Sequence, residues 1–258
     1  MREADLALLE TAARAAGAIA LRHFGRNPEV WQKPGGHGPV TIADIEIDRM
    51  LRADLLAARP QYGWLSEETE DGPARLAAGR VFIVDPIDGT RAFVAGEKAW
   101  AHSLALAENG CVVAGVVHLP KLERTYLAMA GGGAFVNGAA IGASPRAELD
   151  DASVLANAGH LDPSHWRGNA PRLERHMRPS LAYRLCLAAE GRFDAMVTFR
   201  DVWEWDVAAG DLIAREAGAV VTDRRGGTPV YNGPTALIPG LIVAGPALHG
   251  AILARVGE

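Results

Sequence analysis

The run Val81-Phe82-Ile83-Val84 followed by Asp85-Pro86-Ile87-Asp88-Gly89-Thr90 constrains this chain more than any other stretch. Consecutive apolar residues predict a buried strand. A proline, two aspartates and a glycine then predict a turn. Two carboxylates and a hydroxyl thus leave the strand together, at the kind of strand end where α/β proteins open their sites. Carboxylates spaced as Asp85 and Asp88 are can converge on a hard cation, which takes oxygen ligands. The same residues also serve as plain turn formers, since Asp-Pro and Asp-Gly are ordinary turn dipeptides. The rest of the chain decides between the two readings.

The 258 residues are 49% hydrophobic and 22% charged, which suits one large globular domain or two small ones. A net charge of -5 gives no basic excess, so no nucleic-acid polymer is expected as a partner. Cys111 and Cys186 lie in apolar runs outside any C-x-x-C pattern, which predicts buried free thiols in a reducing compartment. The N-terminus opens an amphipathic pattern and not a signal peptide. No apolar run reaches the roughly 18 residues of a membrane span. The expectation is a soluble cytoplasmic protein with no stable membrane association.

Leu6, Leu9, Ala13, Ala16, Ala20 and Phe24 recur at helical spacing and Gly25 ends the helix. A Gly- and Pro-rich loop follows from Asn27 to Pro39, carrying Trp31 and Lys33; loops of this length are uncommon unless functional. Thr41-Ile42-Ala43-Asp44 starts a second helix that ends at Pro60, and Thr41 with Asp44 reads as a capping box variant. Gly63 to Ser66 predicts a short strand delivering Glu67-Glu68. Past Asp88, Asn109-Gly110 joins the strands His102–Ala107 and Cys111–His118 in a hairpin. Another strand runs from Arg124 to Ala130, and Asn137-Gly138 makes a further turn.

The pattern changes around Gly142 to Asp151, which divides the chain into domains over 1–145 and 146–258. Beyond it come a strand at Val154-Leu155-Ala156, an irregular polar stretch from His160 to Met177, and a helix capped by Ser180. Phe193 to Phe199 predicts a strand, and Trp205-Asp206 opens a helix for which Asp206 is a natural N-cap. Strands at Val220-Val221 and Leu241–Ala244 and a last helix from Pro246 to Val256 complete an alternating pattern.

Glu67, Asp85, Asp88 and Asp206 each follow an apolar or aromatic run at an element boundary. As a set they make an all-carboxylate site suited to Mg²⁺. Rival chemistries lack their signatures. No Gly-rich loop ends in Lys-Ser or Lys-Thr, there is no H-E-x-x-H, and no G-x-S-x-G elbow occurs. His102-Ser103 reads as structural.

In this combination the chain resembles the inositol monophosphatase family of fructose-bisphosphatase-like phosphatases. Asp85-Pro86-Ile87-Asp88-Gly89-Thr90 matches the family's first signature and Trp205-Asp206-Val207-Ala208-Ala209-Gly210 its second. Ser66-Glu67-Glu68 and Val40-Thr41-x-x-Asp44 stand at the expected spacings before the first. The resemblance implies a mixed α/β (α+β) fold, a layered α-β-α-β-α sandwich, with most metal ligands in the first half and Asp206 and the substrate-side helix in the second. It implies a Mg²⁺-dependent phosphomonoesterase acting through metal-activated water. Glu67, Asp85 and the Ile87 carbonyl are implied to hold one Mg²⁺, and Asp85, Asp88 and Asp206 a second. A third, weaker ion would rest on Glu67. Thr90 and Asp44 are implied to orient and deprotonate the attacking water, at the expense of the capping reading of Asp44, and the Gly89 and Thr90 amides to hold phosphate oxygens. A small phosphorylated metabolite is the implied partner, and a homodimer the implied assembly.

Substrate is where this chain departs from the inositol-phosphate pattern. Arg91 follows the first signature where inositol phosphatases carry a small polar residue. Ser180 begins the substrate-side helix, and its Arg184 aligns with a basic residue of nucleotidases. The acid that inositol phosphatases place seven positions before Asp206 falls at Phe199. Glu204-Trp205-Asp206 resembles the nucleotidase form. Two extra guanidiniums suit a second phosphate, and equally suit solvated or ion-paired positions. The reading favoured is a 3'(2'),5'-bisphosphate nucleotidase that converts adenosine 3',5'-bisphosphate to AMP, ahead of inositol-1-monophosphatase and histidinol-phosphatase. An inactive binding relative is the non-enzyme alternative.

Overall fold

The computed structural model describes residues 2–33 and 38–257. In chain order the elements are α1 (Arg2–His23), β1 (Val30–Gln32), β2 (Pro39–Thr41), α2 (Ile42–Ala58), β3 (Gly63–Ser66), β4 (Arg80–Asp88) and α3 (Thr90–Val94). A meander follows: β5 (Ala101–Glu108), β6 (Cys111–Leu119), β7 (Arg124–Met129), β8 (Ala134–Val136) and β9 (Ala139–Ala140). Then come β10 (Ala152–Leu155), β11 (Leu173–His176), α4 (Leu181–Ala189), β12 (Ala195–Thr198), β13 (Val202–Trp203) and α5 (Glu204–Glu216). The chain ends with β14 (Val220–Thr222), β15 (Leu237–Ile238), β16 (Leu241–Ala244) and α6 (Pro246–Arg255).

Hydrophobic burial sorts these elements into five layers. Strands β3 to β9 form one sheet in sequence order, with β3 parallel to β4 and the later neighbours antiparallel. One face of it, with Phe82, Val84, Leu104 and Val116, packs on Leu9, Ala13, Ile47 and Leu51 of α1 and α2. The other face, with Ile83, Ala105 and Val117, meets α4 and α5 through Leu185, Val207 and Ala208. A second sheet, ordered β11-β10-β12-β16-β14, covers the far side of those helices with Leu155, Met196 and Val243. Its outer face packs Val154, Val197 and Ile242 on Leu248 and Ile252 of α6. The order α-β-α-β-α is the layered sandwich expected.

Glycine lets the central layer close. A Cβ on Gly115 of β6 would lie 3.0 Å from the Ala209 Cα and carbonyl oxygen of α5. One on Gly210 would lie 2.7 Å from Leu185 Cβ of α4. Small residues at these two points bring α5 against both sheet and helix, which sets the depth at which its first turn is presented.

Several local expectations need correction. Asp85 to Asp88 is not a turn but the end of β4. Asp85 pairs with Ser103 and Asp88 with Ala101, so the bulge inserts an extra residue, and the turn itself comes at Gly89, φ 99°. The predicted loop from Asn27 to Pro39 contains the antiparallel pair β1–β2; its residues Pro34 to His37 lie outside the described residues. The irregular stretch after His160 holds β11, and β13 pairs with β15 where neither was expected. Such short strands carry no periodicity and are made by their partners. Cys111 is exposed, because its hairpin end projects into solvent; Cys186 is buried as expected.

Gly115→Ala is expected to destabilise the fold by roughly 1–3 kcal/mol, since a backbone contact cannot give way. Gly250→Ala, on α6 with open space around it, should instead be neutral or stabilising by up to about 1 kcal/mol. Urea denaturation of the two variants checks the contrast; equal effects would mean the central layer is loosely packed.

Candidate active site

Each acidic group is held by a local device that the fold then reuses. Thr41 caps α2: its hydroxyl oxygen accepts from the Ala43 amide at 3.1 Å and the Asp44 amide at 3.4 Å. Asp44 Oδ2 in return accepts from the Thr41 amide at 2.9 Å and hydroxyl at 2.6 Å. The capping box is therefore present, and the expectation that capping would give way to a site role is corrected. Only Oδ2 is used in the cap; Oδ1 faces Thr90 Oγ1 at 3.3 Å. That hydroxyl also lies 3.0 Å from the Ile87 carbonyl oxygen.

The bulge is pinned by His102 on β5, whose Nδ1 donates to the Pro86 carbonyl. Burial depresses this imidazole to about 3, so it is neutral. Its proton must sit on Nδ1, because a carbonyl can only accept. Ser103, next in the strand, donates to the Trp205 carbonyl at 2.9 Å and ties the first turn of α5 to the sheet. Asp206 is consequently not the N-cap, which is Trp203, but a residue of the first turn aimed at the bulge. Glu204 is fully buried away from the cavity, accepting from the Asn232 and Gly233 amides at 2.6 and 2.7 Å.

Asp88 receives α4 end-on. Its Oδ2 accepts from the Ser180 hydroxyl and the Ala182 amide, both at 2.6 Å. Ser180 Oγ meanwhile caps the helix by accepting from the Tyr183 amide at 3.0 Å. The positive end of the helix thus faces a carboxylate. Asp85 is just as buried and its Oδ1 has no hydrogen-bond partner among the described residues.

Oxygens of Asp85, Asp88 and Asp206 lie within 4.8 Å of one another. At an effective dielectric near 20, that spacing costs about 3 kcal/mol per charged pair. Burial and mutual repulsion raise Asp85 and Asp206 well above the carboxylate range. Asp88 is raised to about 6 by burial, with Ser180 and Ala182 restraining it. Asp44 is also raised to about 6, by burial, against the Thr41 hydrogen bonds. A buried oxygen without a partner, in an all-oxygen donor set, fits Mg²⁺.

Glu67 lines the same cavity, and its charge raises Asp85, Asp44 and Asp206. Its carboxylate engages Lys33, whose ammonium lies 2.7 Å from both Glu67 and Glu68. Burial works to lower that ammonium, and the two carboxylates overcome it and raise it. Asp48 of α2 holds the turn in place by accepting from the Ser66 and Thr69 hydroxyls. The cavity, about 860 Å³, is lined also by Gly89, Arg91, Arg184, Arg200, Asp201 and Trp203. Arg184 is largely committed elsewhere: Nε donates to the Arg178 carbonyl and Nη2 to that of Pro179. Phe199 is buried among His160, His165 and Trp166 and lines no part of this cavity.

Sequence reasoning missed Lys33 as a partner of the acids, and Arg200 and Trp203 as wall residues. Lys33 stood in an unpatterned loop. Arg200 and Trp203 carry no spacing signal, although closeness to Asp206 marks them.

These observations agree with the comparisons. The sequence model of the inositol monophosphatase family matches residues 1–258. An inositol-1-monophosphatase of Rhizobium meliloti is 37% identical over 238 residues, 88% of each chain. A histidinol-phosphatase of Chlorobaculum parvum is 32% identical and covers 98% of this chain and 97% of its own. Among solved structures, the Thermotoga maritima IMPase superposes with a TM-score of 0.80 at 31% identity, covering 98% of this chain and 96% of that one. The family match and these relatives make the protein a phosphoric monoester hydrolase. The chain belongs to the inositol monophosphatase family, whose members are in general Mg²⁺-dependent and act on small phosphorylated substrates.

The raised carboxyls make stability depend on pH. Asp44 and Asp88, moved from 3.8 to about 6, keep a proton in the fold after the unfolded chain has lost it. Their contribution is full below about pH 4 and is lost as pH rises through about 6. Mg²⁺ binding competes with those protons and stabilises the folded state. The rise in Tm given by Mg²⁺ should therefore be small near about pH 5 and grow toward neutrality. Thermal melts with and without Mg²⁺ across that range test it; a gain independent of pH would refute the linkage.

Proposed function

We propose that the protein is a Mg²⁺-dependent 3'(2'),5'-bisphosphate nucleotidase, hydrolysing adenosine 3',5'-bisphosphate to AMP and phosphate. Asp85, Asp88, Asp206, Glu67 and the Ile87 carbonyl would hold two to three Mg²⁺ ions. Bound there, the metal supplies the positive charge and Lewis acidity that phosphoryl transfer to water requires.

The residues of the chain do the rest. Thr90 Oγ1 accepts from the attacking water and passes the proton to Asp44 Oδ1, 3.3 Å away. Asp44 suits this because its other oxygen is fixed by Thr41 and its pKa lies near 6. Water oxygen bonds to phosphorus as the ester P–O bond breaks, the leaving oxygen takes a proton from solvent water, and Asp44 returns its proton to solvent. The amides of Gly89 and Thr90 hold the phosphoryl oxygens. Asp88 and Ser180 act as one unit that places the α4 end, with Arg184, on the substrate side.

The observation that carries the substrate reading is the makeup of the far wall. At the place of the inositol-binding acid stands Phe199, buried and turned away. In its stead Arg91 and Arg200 line the cavity, beside Trp203 stacked on Trp205 at 4.8 Å and 9°. Guanidiniums suit a second phosphate and an indole face suits a base. A second reading, inositol-1-monophosphatase, is favoured by the identity to the Rhizobium enzyme.

Phosphate release with Mg²⁺, comparing adenosine 3',5'-bisphosphate with inositol 1-phosphate at equal concentration, decides between them. We expect preference for the nucleotide, and a loss of roughly 10- to 100-fold in kcat/KM for it in Arg200→Ala, the worth of a charged hydrogen bond. Preference for the inositol ester would transfer the assignment to the second reading. Asp88→Asn should abolish turnover of either substrate with an unchanged circular dichroism spectrum. Near-native rates in that variant would remove Asp88 from the site.

A further inference from the structure

The segment Phe199-Arg200-Asp201 separates two cavities. Arg200 and Asp201 line the active site, while Phe199 lines a second cavity of about 680 Å³. The second cavity has His165, Arg167, Arg224 and Arg225 around an apolar floor of Phe199, Leu253 and Val256.

Its walls are built, not incidental. The Arg167 amide donates to the Arg255 carbonyl at 2.7 Å and the Gly257 amide to that of His165 at 2.8 Å. These bonds join the 165–167 stretch to the end of α6. Opposite, Asp223 Oδ1 accepts from the Arg225 and Gly227 amides, both at 2.8 Å, and holds a tight turn. Asp223 is thereby turned to the backbone and is not among the lining groups. Arg224 donates through Nη1 to the Phe199 carbonyl, leaving its other N–H groups without an acceptor among the described residues.

Charge makes the cavity unusual in this protein. The chain carries net charge -5, yet this wall gathers three guanidiniums and an imidazole with no carboxylate among the described lining residues. Nor does either the Arg167 or the Arg225 side chain hydrogen-bond or ion-pair with any described residue. Guanidiniums that line one cavity with no counter-ion among the described residues suit an anion, and their planar forks match phosphate oxygens. The floor is aromatic, with His165 and Phe199 ring centroids 5.2 Å apart. The two rings are tilted by 48°, and with Leu253 and Val256 they offer ring edges and apolar surface for an aromatic body beside the charged group.

We propose that this second cavity binds a phosphate-bearing small molecule with an aromatic body, and that its occupancy acts on the active site through residues 199–201. Arg224 is the link, since it is both a wall cation and the donor to the Phe199 carbonyl. A phosphate drawing on its guanidinium pulls on the peptide that precedes Arg200. The binding claim does not depend on which ester the active site hydrolyses.

The test uses metal-stripped, chelator-free protein, so that no metal holds a phosphate at the active site. Titration calorimetry with AMP should show saturable binding, tighter than inorganic phosphate. Arg167→Ala/Arg225→Ala should weaken AMP at least about tenfold, the loss of one charged hydrogen bond. Its basal turnover with Mg²⁺ should match wild type. No saturable AMP binding, or undiminished binding in the double variant, would overturn the site. With Mg²⁺ restored, added AMP should change kcat in wild type and not in the double variant. An identical response in both would overturn the coupling.

Discussion

Three carboxylates held within 4.8 Å of one another are the interaction on which the rest of the structure depends. Left alone they would separate, each repulsion costing about 3 kcal/mol. The fold resists from three directions. The bulge in β4 presents Asp85 and Asp88, α4 places its capped end on Asp88, and the Ser103–Trp205 bond draws in the first turn of α5. The close packing of Gly115 and Gly210 serves this end, because α5 could not bring Asp206 so near with a larger residue at either point. A cation bound among them would relieve the repulsion that the scaffold maintains.

The same economy runs through the neighbouring polar groups. Asp44 completes the α2 cap with Oδ2 and faces Thr90 with Oδ1, and the single Ser180 hydroxyl both accepts from the Tyr183 amide to cap α4 and donates to Asp88. His102, neutral and buried, fixes the bulge without contributing charge. Glu204 secures the loop at Asn232 from the side of α5 that faces away from the acids. A residue with both roles is hard to change without loss of stability as well as activity. Lys33 differs, since its partners are Glu67 and Glu68 themselves, so it neutralises part of the same negative field from an otherwise irregular segment.

Charge also divides the two faces of the 199–201 segment. One side places Arg200 in the cavity that also holds the cluster of acids, where its charge offsets part of their field. The other gathers cations over an apolar floor with no acid among the described lining residues. One buried aromatic residue, Phe199, separates these environments, seven positions before Asp206.

The sequence by itself determined the strands and helices whose signals are local. Periodic apolar residues marked α1 and α2, Asn109-Gly110 turned the β5–β6 hairpin, and Ser180 marked the start of α4. The acids were legible too: Glu67, Asp85, Asp88 and Asp206 each follow an apolar or aromatic run at an element boundary, and family resemblance then gave them roles. Tertiary structure alone decided that Asp85 to Asp88 would be a bulge and not a turn, because that depends on pairing with Ser103 and Ala101. It likewise decided that Asp44 keeps its cap while facing Thr90, that Arg184 spends its guanidinium on carbonyls, and that Arg200 faces the cavity while Phe199 does not. The physical reason is common to all of these: caps and periodicities act within a few residues, whereas the direction of a side chain and the partner it meets are set by elements that come together only when the layers close.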